Sequence, residues 1–243
     1  RLIHLVVLHI NAVTSAMRLS PRWSLSALSS SSPLGSVTAS TSVMSLTKEA
    51  HIMATEDEGA NTVGLFGGFT VLRTKLRLVS SPRDIPLPEL VTHFLRVILS
   101  ERTTGTVTRT ALEAVHSFLE HDLFSQNSVG LARAVQDVAH ATSHCSFEPS
   151  DSSMDEVVLL AILDVMYQLV CGRAGASDAP MLVDLLGDES VCEMMETGLS
   201  MCCQTRLSTT LRRTAEQTVQ RMFCTLFARL EGLSSDDTQN CGE

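Results

Sequence analysis

The sequence predicts an all-α fold, an irregular α-solenoid of HEAT or armadillo type with about eight helices. Three observations carry that expectation. The chain is 44% hydrophobic but only 4% aromatic, which points to aliphatic helix faces rather than the aromatic and β-branched pleats of a sandwich. Apolar residues recur at three and four through most of 87–230, the period of a helix with one buried face. The connections between these stretches are short, with one long exception near the start. The 243 residues suit one large domain, or one domain with a loose segment. With 13 Gly and 7 Pro the chain is no fibre, and with 19% charge it is not wholly disordered.

Taken in order, Leu2 to Met17 is apolar and reads as a first helix, assigned to 1–17. With Arg1 ahead of it and Ala12 to Ala16 behind, it also admits a signal-peptide reading, although His4, His9 and Asn11 interrupt it. Residues 18–60 are expected to be a disordered insertion, because Ser and Thr crowd 20–47 and bury little. A phosphorylated regulatory loop is the alternative there. The domain body is assigned to 61–233, and its first segment, 61–79, fits either a helix or an alternating strand. Its glycines spell no phosphate-binding loop.

After Pro82, Pro86 and Pro88, helices are expected at Leu87 to Leu99, Thr106 to Glu120 and Val129 to Ala141. Val157 to Val170 is apolar nearly all round and therefore central, with a start signal at Ser152 and Asp155 and a stop at Gly172 and Gly175. Ser190 with Glu193 forms a capping box for a helix over 191–205. Ser208 begins the last helix, whose apolar residues run from Leu211 through Phe223, Phe227 and Leu230 until Gly232 stops it. Residues 234–243 are expected as a flexible tail.

Charge separates the chain into two parts. Residues 1–88 carry eight basic and five acidic side chains, net +3, whereas 89–243 carry ten and 22, net -12. The second part is no nucleic-acid groove, since phosphate affinity needs clustered cations. No run of adjacent cations exceeds Arg212-Arg213, so a polybasic membrane segment is absent as well. The seven cysteines are odd in number and none is spaced C-x-x-C, which favours free thiols in a reducing compartment.

Reactive constellations are sparse. His140 and His144 share a helix face beside Cys145, but the further ligands of a zinc site are missing at usual spacing. No catalytic, cofactor or metal residue is assigned. An unrelated all-α zinc- or thiol-dependent protein using His140, His144 and a cysteine is the alternative reading. Asp155-Glu156 and Asp188-Glu189 sit at helix starts, where carboxylates favour the dipole, though an exposed acidic end also offers a contact for a basic partner.

Ser100 to Gly105, Ala111-Leu112, Phe118-Leu119, Val138 to Ala141, Asp155 to Leu159, Glu189 to Met195, Arg206 to Ser208, Leu211 to Thr218 and Leu226 to Leu230 follow one another in a distinctive order. Together these stretches resemble the amino-terminal dimerisation and cyclophilin-binding domain of the large Golgi Arf guanine-nucleotide exchange factors. Ile10 to Val13 with Arg22-Trp23 resembles the family's first helix, and Leu65 to Arg73 its second, which implies that 61–79 is helical and 18–60 inserted. The sequence departs from the family at Ser117, where a basic residue usually stands, and at Thr106, usually proline.

The resemblance implies a non-catalytic regulatory module acting in Golgi vesicle transport. In this family exchange belongs to a separate Sec7 domain, which is not expected here, so the chain itself should be no enzyme and need no cofactor. Expected partners are a second copy of the chain and downstream regulatory domains of the same protein, with small GTPases or cyclophilin as further candidates and nucleic acid excluded. Localisation is expected to be cytoplasmic and peripheral on Golgi membranes, through the full-length protein only. Candidate protein contacts are Glu156, Met195, Arg212 and Arg213.

Overall fold

The computed structural model describes residues 1–20, 64–149, 152–175 and 179–240. Among them lie eight α-helices: α1 (Leu2–Leu19), α2 (64–78), α3 (Leu87–Ile98), α4 (Gly105–Glu120), α5 (Leu131–Ser143), α6 (Ser152–Cys171), α7 (Asp188–Cys203) and α8 (Thr209–Asn240). Short 3-10 turns lie at Pro82–Asp84 and Leu182–Leu185, and no strand is present among the described residues. The all-α expectation holds. The insertion assigned to 18–60 falls, from residue 21 onward, outside the described residues.

The helices stack as pairs in two rows. Helix α3 packs on α5 and α5 on α7, while in the other row α1 packs on α4, α4 on α6 and α6 on α8. Across the rows α3 meets α4, α5 meets α6 and α7 meets α8. Helix α6, apolar nearly all round, lies between α4 and α8 and against α5, and buries Val158, Ile162, Val165, Met166, Leu169 and Val170. That central place is what its wide apolar surface requires.

The ambiguous segment resolves as helix. Phe69, Leu72 and Leu76 of α2 are buried at helical spacing, and Phe69 meets Phe94 of α3 edge to face with ring centres 5.0 Å apart. Phe94 meets Phe118 of α4 at 5.1 Å, and Phe118 meets His9 of α1 at 5.4 Å, again edge to face. His93 of α3 lies against the other side of Phe69, at 6.1 Å. Three of the eight phenylalanines and His9 thus form one column that joins four helices. The aliphatic core expected from composition is found elsewhere in the stack.

Local causes set the starts of α5, α6 and α7 and the extent of α8. Helix α5 begins at Leu131 rather than Val129, because Gly130 caps it with φ +78° and the Val129 carbonyl accepts from the Leu87 N–H at 2.9 Å. A side chain on Gly130 would meet Pro88 at 2.8 Å, so the left-handed turn must be glycine. Helix α6 begins at Ser152, the predicted start signal, a turn before the apolar run. Helix α7 begins at Asp188 with Gly187 as its cap, so Ser190 lies within the first turn and the predicted capping box is not formed. Asp188 and Glu189 occupy that first turn, where their charge favours the helix dipole. Helix α8 continues past Gly232 to Asn240, so the expected tail is helical up to there; a single interior glycine costs only about 1 kcal/mol.

The Thr103-Thr104-Gly105 motif has a structural role. The buried Thr103 and Thr108 hydroxyls are 2.9 Å apart, and Thr103 also donates to the Ser100 carbonyl at 2.8 Å. The Thr103 carbonyl accepts from Glu148 N–H at 2.8 Å, and Ile98 from Ser146 N–H at 3.0 Å, which fastens the α3–α4 turn to the loop entering α6. All these groups would be costly to bury unpaired.

Two outcomes follow from this packing. Burial holds the His9 imidazole below the ordinary histidine value of 6.5, with Glu113 opposing and His121 reinforcing the shift. Burial does the same to His93, reinforced by Arg96 and Lys75 and opposed by Glu89. The unfolded chain therefore binds more protons than the fold as pH drops from 6.5 toward the lowered values, so stability is lost over that window. Urea midpoints should fall on acidification through it, and the double variant His9→Gln/His93→Gln should show a clearly flatter dependence. At Gly198 of α7 a Cβ would meet Val219 Cγ2 of α8 at 2.6 Å. Gly198→Ala should cost about 1–3 kcal/mol in denaturant unfolding, despite the higher helix propensity of alanine.

Candidate protein-contact site

The carboxylate of Glu156 is engaged within the fold. Its Oε1 accepts from the backbone N–H of Ser208 at 2.6 Å, across from α6 to the start of α8. Ser208 is the residue ahead of α8, and its hydroxyl accepts from Leu211 N–H at 3.2 Å. In a capping box the carboxylate comes from the third residue of the helix itself. Here that residue is the apolar Leu211, and α6 supplies the carboxylate instead. The Ser117 hydroxyl lies 3.4 Å from Nδ1 of His121, the residue that caps the end of the same helix.

The other candidates divide between interior and surface. Met195 is only 7% exposed and belongs to the core, so it offers no contact in the folded chain. Arg212 is half-buried, with its Nε lacking a partner among the described residues, and Arg213 is exposed on the next position of α8. Leu211, Ala215, Val219 and Met222 are buried as the periodicity predicts.

Phe223, Phe227 and Leu230 are not buried, and sequence periodicity missed this. They form a second stripe at four and three along α8, exposed at 36%, 60% and 59%. The Phe223 and Phe227 rings stack 6.2 Å apart at 20°. The signal lay in the width of the apolar pattern, since one neighbouring row cannot cover both 215–219–222 and 223–227–230. The inner side of α8 is held by Thr225 against Cys171, with Oγ1 and Sγ 3.3 Å apart, and by an ion pair from Arg229 to Asp184.

The zinc or thiol alternative finds little chemistry to use. The His140 and His144 rings stack 4.3 Å apart, but His144 Nδ1 lies 3.0 Å from the His140 carbonyl. Burial pushes the Cys145 thiol up to about 12, so at neutral pH it is not a thiolate nucleophile. No grouping of three metal-binding side chains occurs among the described residues. A cavity of about 390 Å³ opens beside Cys145, between Ser143, Ile162, Thr197 and Ser200.

Similarity to known proteins is confined to one segment of much longer chains. The sequence is 37% identical over 163 residues to an uncharacterised protein of Schizosaccharomyces pombe, covering 67% of this chain and 11% of that protein. It is 33% identical over 177 residues to the Golgi-specific brefeldin A-resistance guanine nucleotide exchange factor 1 homolog of Caenorhabditis elegans, covering 72% of this chain and 9% of the relative. With ARF guanine-nucleotide exchange factor 1 of Saccharomyces cerevisiae it shares 26% over 167 residues, 69% of this chain and 11% of the yeast protein. The chain thus spans about a tenth of the length of the curated relatives it matches. No family model matches the sequence.

The split capping box is directly testable. Glu156→Ala should destabilise the fold by about 1–3 kcal/mol, the worth of a partly buried charged hydrogen bond. In a double-mutant cycle with Ser208→Ala the two costs should be non-additive in denaturant unfolding.

Proposed function

Given that this chain belongs, over the segment it shares with them, to the family of the large Arf guanine-nucleotide exchange factors, we propose that it is a non-catalytic regulatory module of such a factor, working by self-association and by contact with downstream regulatory domains. The exposed stripe of Phe223, Phe227 and Leu230 on α8 is the observation that carries this reading. Two stacked rings and a leucine on one solvent face of a terminal helix resemble the anchors of a helix-packing interface. On this reading nucleotide exchange on Arf lies elsewhere in the whole protein, which acts at the cytoplasmic side of Golgi membranes. Small GTPases and cyclophilin are proposed as further partners of the module.

Arg213 lies on the same helix and serves as a second probe of the interface, whereas Met195 is unsuitable because its substitution attacks the core. Light scattering of the purified chain should show a dimer or larger assembly, and no nucleotide exchange on Arf should accompany it. Phe227→Asp should weaken self-association at least tenfold, the loss of one interface anchor, while the circular dichroism spectrum and unfolding midpoint stay close to wild type. A chain that remains monomeric at high concentration, or that associates equally well as Phe227→Asp, contradicts this function.

A further inference from the structure

We propose that the outer surface of α1 and α2 docks on an anionic lipid bilayer. The two helices hold no carboxylate among their described residues, while they carry Arg18, Arg73, Lys75 and Arg77. Lys75 is committed to Glu89 of α3 by an ion pair. Arg73 and Arg77 remain exposed one turn apart on α2, and Arg18 is exposed at the end of α1. Its guanidinium sits 5.1 Å from the centre of the Phe66 ring, which brings the cation of α1 to the start of α2. A run of cations in sequence is therefore unnecessary, since two helices supply them together.

Apolar side chains accompany these charges. Leu19 and Leu78 are 84% and 83% exposed, and Val71 projects from α2 with Leu78, opposite the buried Phe69, Leu72 and Leu76. Between them the Thr70 and Thr74 hydroxyls donate to carbonyls one turn earlier in the same helix, so the face brings few unpaired polar groups to an interface. Exposed leucines flanked by arginines, without carboxylates, match the composition of helices that lie in the headgroup region. Nucleic acid would reward the arginines and leave the leucines in water.

The remainder of the molecule reinforces the choice of partner. Residues 89–243 are net -12, and an anionic surface repels them. The charge separation therefore orients the chain with α1 and α2 toward the lipid and α8 away from it. The proposal rests on these two helices and is independent of the exchange-factor reading and of the α8 stripe.

The test is flotation of the full 243-residue chain with vesicles of phosphatidylcholine alone or of phosphatidylcholine with phosphatidylserine. Binding is expected to the anionic vesicles, declining as salt is raised. Each cation near such a surface is worth roughly fivefold in partitioning, so Arg73→Gln/Arg77→Gln should reduce binding roughly 25-fold. Leu78→Ser should reduce it severalfold, and Arg133→Gln, at an 81% exposed position of α5, should leave it unchanged. All variants replace exposed residues, and unfolding midpoints verify that they remain folded. Equal binding to neutral vesicles, absence of vesicle binding, or equal losses from Arg133→Gln and the double variant would overturn the proposal.

Discussion

The edge-to-face column from His9 through Phe118, Phe94 and Phe69 is the contact on which the amino-terminal half depends. Helices α1 and α2 are separated in sequence by residues 21–63, so closing that connection costs chain entropy that the contacts must offset. Each buried phenylalanine contributes its apolar area, and each ring pair adds about 0.5–1.5 kcal/mol through quadrupole geometry. The column brings both helices onto one site, since Phe94 and Phe118 lie on α3 and α4. Half-buried histidines flank it at both ends, which makes the joint sensitive to protons as well as to packing.

Beyond that joint the body is a repetition of one solution. Each pair buries its facing stripes and stacks on the next, and α6 runs through the middle with α4 on one side and α8 on the other. Glycines make room for close neighbours at Gly130 against Pro88 and Gly198 against Val219, where a Cβ would collide. The loops on the α3–α4 side are fastened by backbone bonds through Thr103 and Ile98. The polar stretch around Thr103 is thereby explained as a buried hydrogen-bond arrangement.

The two ends of the stack present different chemistry. At one, α1 and α2 offer arginines and leucines without carboxylates; at the other, α8 offers stacked aromatic rings on an acidic body. Neither surface resembles an active site, since each lacks the convergent reactive groups that catalysis requires. Both suit association, one with lipid and the other with protein. Their separation to opposite ends allows the two contacts to be made together.

The sequence by itself determined the class of fold, the period of each helix and the kinship with the exchange factors, because helical burial and homologous segments are written in local order. It also placed Leu211, Ala215, Val219 and Met222 in the core correctly. Only the tertiary structure decided that Phe223, Phe227 and Leu230 face out, and that Glu156 caps a helix 52 residues away. A helix's own sequence shows how wide its apolar surface is, but which part meets solvent depends on how many neighbours it acquires. A carboxylate's position in sequence likewise shows its charge, but whether it faces a partner or a backbone amide depends on what the fold brings beside it.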